Sequence, residues 1–101
     1  MKKTKIVQTE LKKWRVLDAA EILVILADHA KKDSTFLPIK NSSTTRWYAN
    51  VNNHDFEILC TGPKFWDTVR GKGGGGAVDL VMYLFDVDFF AATRILRSKG
   101  F

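Results

Sequence analysis

The stretch GKGGGGAVDLVMYL, residues 71–84, holds the residues of this chain most suggestive of chemistry. Gly71, Gly73 and Gly76 fit the spacing G-x-G-x-x-G, between a strand-like run and an apolar run. In that setting glycines let backbone amides approach a pyrophosphate at a helix start. A dinucleotide site also needs a parallel strand–helix–strand unit, with an acidic residue about 20 positions on. The residues after Gly76 read as helix, so such a site is not expected. A P-loop is not expected either. Lys72 precedes the glycines, and Gly73 stands where a Ser or Thr must reach the metal. Two readings of the run stay open. Gly73, Gly74, Gly75 and Gly76 turn a strand sharply into a buried helix, where glycine permits positive φ and close backbone approach. Alternatively, they make that turn and also offer free amides to a phosphate.

Asp86 and Asp88, in FDVD, have the spacing of a metal-binding carboxylate pair, but Asp88 is well placed to cap a helix. No Ser–His–Asp or Cys–His set has a readable geometry. The chain is therefore expected to be no enzyme and to carry no cofactor.

The remaining chemistry is aromatic and cationic. Arg46, Trp47, Tyr48, Lys64, Trp66, Arg70 and Lys72 interleave rings with positive charge on short strands. That pattern suits single-stranded nucleic acid: bases stack on rings and phosphates meet Arg and Lys. The competing reading puts Trp47 and Trp66 in the core. The net charge of +5 makes an anionic partner plausible, nucleic acid first. Residues 1–15 hold Lys2, Lys3, Lys5, Lys12, Lys13 and Arg15 against Glu10 alone. The excess is thus a basic tail on a nearly neutral domain, and a solvated tail explains it equally well. Cys60 is the only cysteine, which suits a reducing cytoplasm. No apolar run reaches membrane-spanning length, so no membrane partner is expected.

Four sets of elements must position these residues. Residues 1–15 read as a basic, loosely ordered segment in which TELKKW could start a short helix. Residues 16–101 read as one domain. Within it, the apolar spacing predicts a helix over residues 18–31, capped by Asp18 and Glu21, carrying His29 and ending on Lys31 and Lys32. A polar connection comes next, whose Phe36, Leu37 and Ile39 are expected to pack on the core. RWYANV, DFEILCT and KFWDTV read as three short antiparallel strands separated by turn residues. In the second strand Phe56, Ile58 and Cys60 share one face; Asp55, Glu57 and Leu59 share the other. AVDLVMYLF reads as a helix buried on most sides. The last helix starts at Asp88 and stops at Gly100. The fold class is α+β: a three-stranded antiparallel sheet, one N-terminal helix and two C-terminal helices.

The stretch from Lys64 onward resembles the end of the primase-type zinc-ribbon domain, found in bacterial replicative primases and in plasmid and mobile-element proteins with a TOPRIM domain. The resemblance is carried by the aromatic strand with Trp66 and Asp67, the Gly-rich turn, Ala77, Val78, Asp79, Leu80 and Val81, and then Phe89, Ala92 and Leu96. The elements from residue 18 onward fall in that family's order. The family binds zinc through Cys-x2-His on one turn and Cys-x2-Cys on the next. Here the first turn offers Val51 to His54 and the second Asp67 to Arg70. A structural zinc takes four ligands, and His54, Asp67 and a core-facing Cys60 do not supply them. The resemblance therefore implies a zinc ribbon without zinc, its staple replaced by packing of Trp47, Tyr48, Phe56, Phe65 and Trp66. It implies a non-catalytic DNA-binding accessory module, single-stranded DNA favoured, acting in replication or transfer of a plasmid, phage or integrated element. The alternative is a protein-interaction adaptor docking to a primase, helicase or relaxase.

Overall fold

The computed structural model describes residues 8–101. Its architecture is α+β. Four helices cover one face of a five-stranded antiparallel meander, and among the described residues no helix covers the other, open face. The helices are α1 (Gln8–Arg15), α2 (Ala19–Leu26), α3 (Ala77–Phe85) and α4 (Phe89–Ser98). The strands are β1 (His29–Lys32), β2 (Thr45–Val51), β3 (His54–Thr61), β4 (Lys64–Asp67) and β5 (Lys72–Gly74), side by side in chain order. Among the described residues no helix is long and apolar enough to cross a membrane.

The central strands follow their alternation. Phe56, Ile58 and Cys60 of β3 are buried, as are Ala49 and Val51 of β2 and Phe65 of β4. These side chains meet Ile22 and Leu23 of α2 and Leu80, Val81 and Leu84 of α3 in one core. The β2–β3 hairpin closes through Asn52 and Asn53, both at positive φ, which a two-residue turn of this hand requires. Helix α4 starts as expected: the Asp88 carboxylate accepts from the Ala91 amide. It stops at Gly100, whose φ of 82° few other residues adopt.

Two strands and one helix exceed the sequence expectation. The helix predicted over residues 18–31 ends at Leu26, and residues 29–32 form the edge strand β1 instead. His29, Lys31 and Lys32 thus lie on a strand. Beyond Leu26 the segment has only alanines to bury, whereas pairing with β2 satisfies its backbone. Lysines on an edge strand also discourage further strand addition. Strand β5 is two glycines and a lysine, a composition with no strand signal, held by pairing to β4. Within the basic segment, where TELKKW could start a short helix, residues 8–15 form α1. Trp14 is fully buried in the core, and Arg97 of α4 donates to Glu10 at 2.6 and 2.8 Å. Residues 1–7 of the basic tail lie outside the described residues.

Two smaller expectations fail for local reasons. Asp18 occupies the cap position of α2 but its side chain makes no cap bond; the Gly62 carbonyl accepts the Ala19 amide instead. Phe36 is half-buried, and Leu37 and Ile39 are exposed rather than packed on the core.

Candidate nucleic-acid interface

Cross-strand partners in an antiparallel sheet point to the same face, so the register sorts the candidate residues. One row of the open face runs from Lys31 through Tyr48 to Glu57. The next runs from Arg46 through Leu59 and Trp66 to Gly73. Lys64, two residues before Trp66 on β4, shares its face and lies opposite Thr61. Tyr48 is 41% and Trp66 49% exposed. The Arg46 guanidinium lies 5.4 Å from the Tyr48 ring centre and 2.9 Å from the Glu57 carboxylate. It therefore braces the tyrosine while part of its charge is met.

Trp66 rests on glycine. A Cβ at Gly73 would lie 2.7 Å from the Trp66 ring and 2.5 Å from the Phe65 carbonyl. At Gly74 it would lie 2.8 Å from the Phe65 ring and 2.9 Å from the Asp79 Cβ. These two glycines thus allow β5, the aromatic strand and the start of α3 to approach closely. The positive-φ explanation does not apply to Gly73–Gly76. The positive φ, 67°, belongs to Gly71, and Gly76 is extended at −176°. At the entry to α3 the Asp79 carboxylate accepts from the Gly75 amide at 3.3 Å. The helix start thus carries its own anion, which disfavours a phosphate there.

The structure brings Arg46, Tyr48, Lys64 and Trp66 together and separates the other three candidates. Trp47 pairs with Ile58 on the helix side, half-buried against the core, its Nε1 donating to Thr45 Oγ1. Lys72 is in register with Asp67, so it too belongs to the helix side. Arg70 is occupied within the fold. It donates to Asp67 at 3.0 Å and to the Asp55 carbonyl at 3.3 Å, and stacks 4.8 Å from the Phe56 ring centre.

Asp67 is the centre of that arrangement. Its carboxylate is fully buried. It accepts from the Val69 and Arg70 amides, the Arg70 guanidinium and the Tyr83 hydroxyl. Burial works to raise its pKa, but the hydrogen bonds from Tyr83, Arg70 and Val69 outweigh it and hold the group below its ordinary value. Burial, and then the bond to Asp67, pushes the Tyr83 hydroxyl up to about 12. The ion pair ties the β4–β5 turn to the β2–β3 hairpin through Asp55 and to α3 through Tyr83. Cys60 takes no part: it is buried in the core, and burial pushes its thiol up to about 12. Among the described residues no three His, Cys, Asp or Glu side chains are grouped to hold a metal ion.

No family model, curated protein or solved structure matches the chain.

Sequence reasoning missed Lys31 and Leu59. Lys31 was hidden by its assignment to a helix end. Leu59 carried a visible signal, as the one apolar residue beside Asp55 and Glu57 on the outward side of β3.

Proposed function

We propose that the open sheet face binds single-stranded nucleic acid, single-stranded DNA first, and that the chain is a non-catalytic accessory module of the primase zinc-ribbon kind. The observation that carries this reading is the pair of half-exposed rings, Tyr48 and Trp66, on one uncovered face. They sit two strands apart, with Leu59 of the intervening strand in register with Trp66. Strand and residue spacings put them roughly 10–12 Å apart, so two bases splayed from one strand can stack on separate rings. A duplex keeps those base faces stacked inside and cannot engage both rings. Lys31 and Lys64 flank the rings for phosphate contact. In the resembled family the Asp67 and Arg70 positions belong to the zinc turn. Here their ion pair supplies a cross-link in that place, consistent with a ribbon that has exchanged metal for hydrogen bonds. A role in replication or transfer of a mobile element belongs to this reading and rests on the resemblance alone.

Binding to a labelled oligothymidine should be weak, nearly independent of sequence and sensitive to salt. Trp66→Ala and Tyr48→Ala should each weaken it by roughly 1–3 kcal/mol, the contribution of a stacked base. Lys72→Ala should have little effect. Fluorescence anisotropy at two salt concentrations, with a thermal melt of each variant, checks this. Absence of binding at low salt would remove the nucleic-acid reading and leave the adaptor reading in its place.

A further inference from the structure

Residues 36–41 cross beside the open face, and between them and Trp66 lies a groove of about 760 Å³. Leu37, Ile39, Leu59 and Trp66 line it, with Lys40 and Lys64 also on its wall. Leu37 is 83% and Ile39 97% exposed, so two branched aliphatic side chains stand in water on either side of Pro38. A side-chain-capped turn lies at each end of the loop. The Asp33 carboxylate accepts from the Thr35 amide and hydroxyl at 2.9 and 2.7 Å. Asn41 Oδ1 accepts from the Ser43 amide and hydroxyl at 2.9 and 2.6 Å.

The lining decides the occupant. It includes two lysines and no carboxylate, so the groove suits a ligand with an apolar body and negative charge. Its aromatic wall is a flat, half-exposed indole, which suits a planar ring. We infer that the groove takes one unpaired nucleotide: the base stacks on Trp66, Leu37 and Ile39 close over it as an apolar wedge, and its flanking phosphates meet Lys40 and Lys64. This rests on the reading of the sheet face as a nucleic-acid surface and adds the element that selects against duplex. A paired base cannot enter the slot without leaving its partner, whereas an unpaired base enters without that cost.

The test uses the full chain with oligothymidine, a duplex of the same length, and an acidic leucine-containing peptide. Anisotropy is read alongside tryptophan quenching, and Trp66→Phe assigns the quench to that ring. The double change Leu37→Ser and Ile39→Ser alters only exposed groups, so its melting temperature should match the parent. It should bind the single strand about five- to tenfold more weakly, the lower range for one stacked base, with duplex binding unchanged. Lys40→Glu, also at an exposed position, should weaken single-strand binding and leave the melt unchanged. If both variants bind oligothymidine as the parent does while Trp66→Ala does not, the groove is unused and this inference falls, though the sheet-face reading stands. If the peptide alone quenches Trp66, both fall.

Discussion

Asp67→Asn is expected to lower folding stability by about 1–3 kcal/mol, the cost of taking a charged acceptor away from donors aimed at a buried carboxylate. The amide cannot reproduce the four donors now aimed at the carboxylate: two amides, a guanidinium and a phenol. The Tyr83 hydroxyl and the two turn amides lose an ionised acceptor in a part-buried place, while the half-exposed Arg70 guanidinium keeps access to water. Urea unfolding at neutral pH measures the loss. The effect has a pH signature. Asp67 is held below its ordinary value of 3.8. Its contribution is therefore complete above that value and drains away as the pH falls through the lowered folded value. The gap between parent and variant should be full at pH 7 and close under acid. A gap unchanged by acid would show that the carboxylate charge is not what stabilises the turn.

Gly73→Ala is the second large effect, at about 1–3 kcal/mol, the range for overpacking a filled site. The added methyl meets the Phe65 carbonyl oxygen at 2.5 Å, a backbone atom that moves only if β4 moves. It also displaces the Trp66 indole from its seat, so oligonucleotide binding should weaken in the same variant. Gly75→Ala is the control. Nothing lies within 4 Å of its Cβ position, and a stability change within about 0.5 kcal/mol is expected, as for an ordinary surface site. Thermal melts of the two variants side by side decide the matter. Equal losses would mean that the glycines serve the turn's backbone conformation rather than close packing.

The parts of the fold that were legible in the sequence are those where a residue's own chemistry decides its place. Phe56, Ile58 and Cys60 alternate with residues of the outward face and are buried. Asp88 caps its helix. The α3 segment, apolar nearly throughout, buries Ala77, Leu80, Val81 and Leu84. The elements that escaped were decided by partners far along the chain. HAKK becomes a strand because β2 offers a free edge, and KGG because β4 does. Trp14 looks like part of a basic tail until Arg97, at the other end of the chain, fixes its helix through Glu10. At the site, alternation along β2 puts Arg46 and Tyr48 on one face and Trp47 on the other, and nothing local in RWYANV shows which face the helices cover. Arg70 looked available because its partners, Asp67 and the Asp55 carbonyl, meet only once the two turns are side by side.

The three tryptophans give the most direct test of the open face as the binding surface. Trp14 of α1 is fully buried in the core, Trp47 faces the helices with its Nε1 bonded to Thr45, and Trp66 stands on the open side. Their indole N–H signals can be followed in one NMR titration with oligothymidine at low salt. Binding on the open face should move the Trp66 signal, with the response lost as salt is raised, while those of Trp14 and Trp47 hold still. A titration in which no indole moves, or in which Trp47 responds and Trp66 does not, would contradict it.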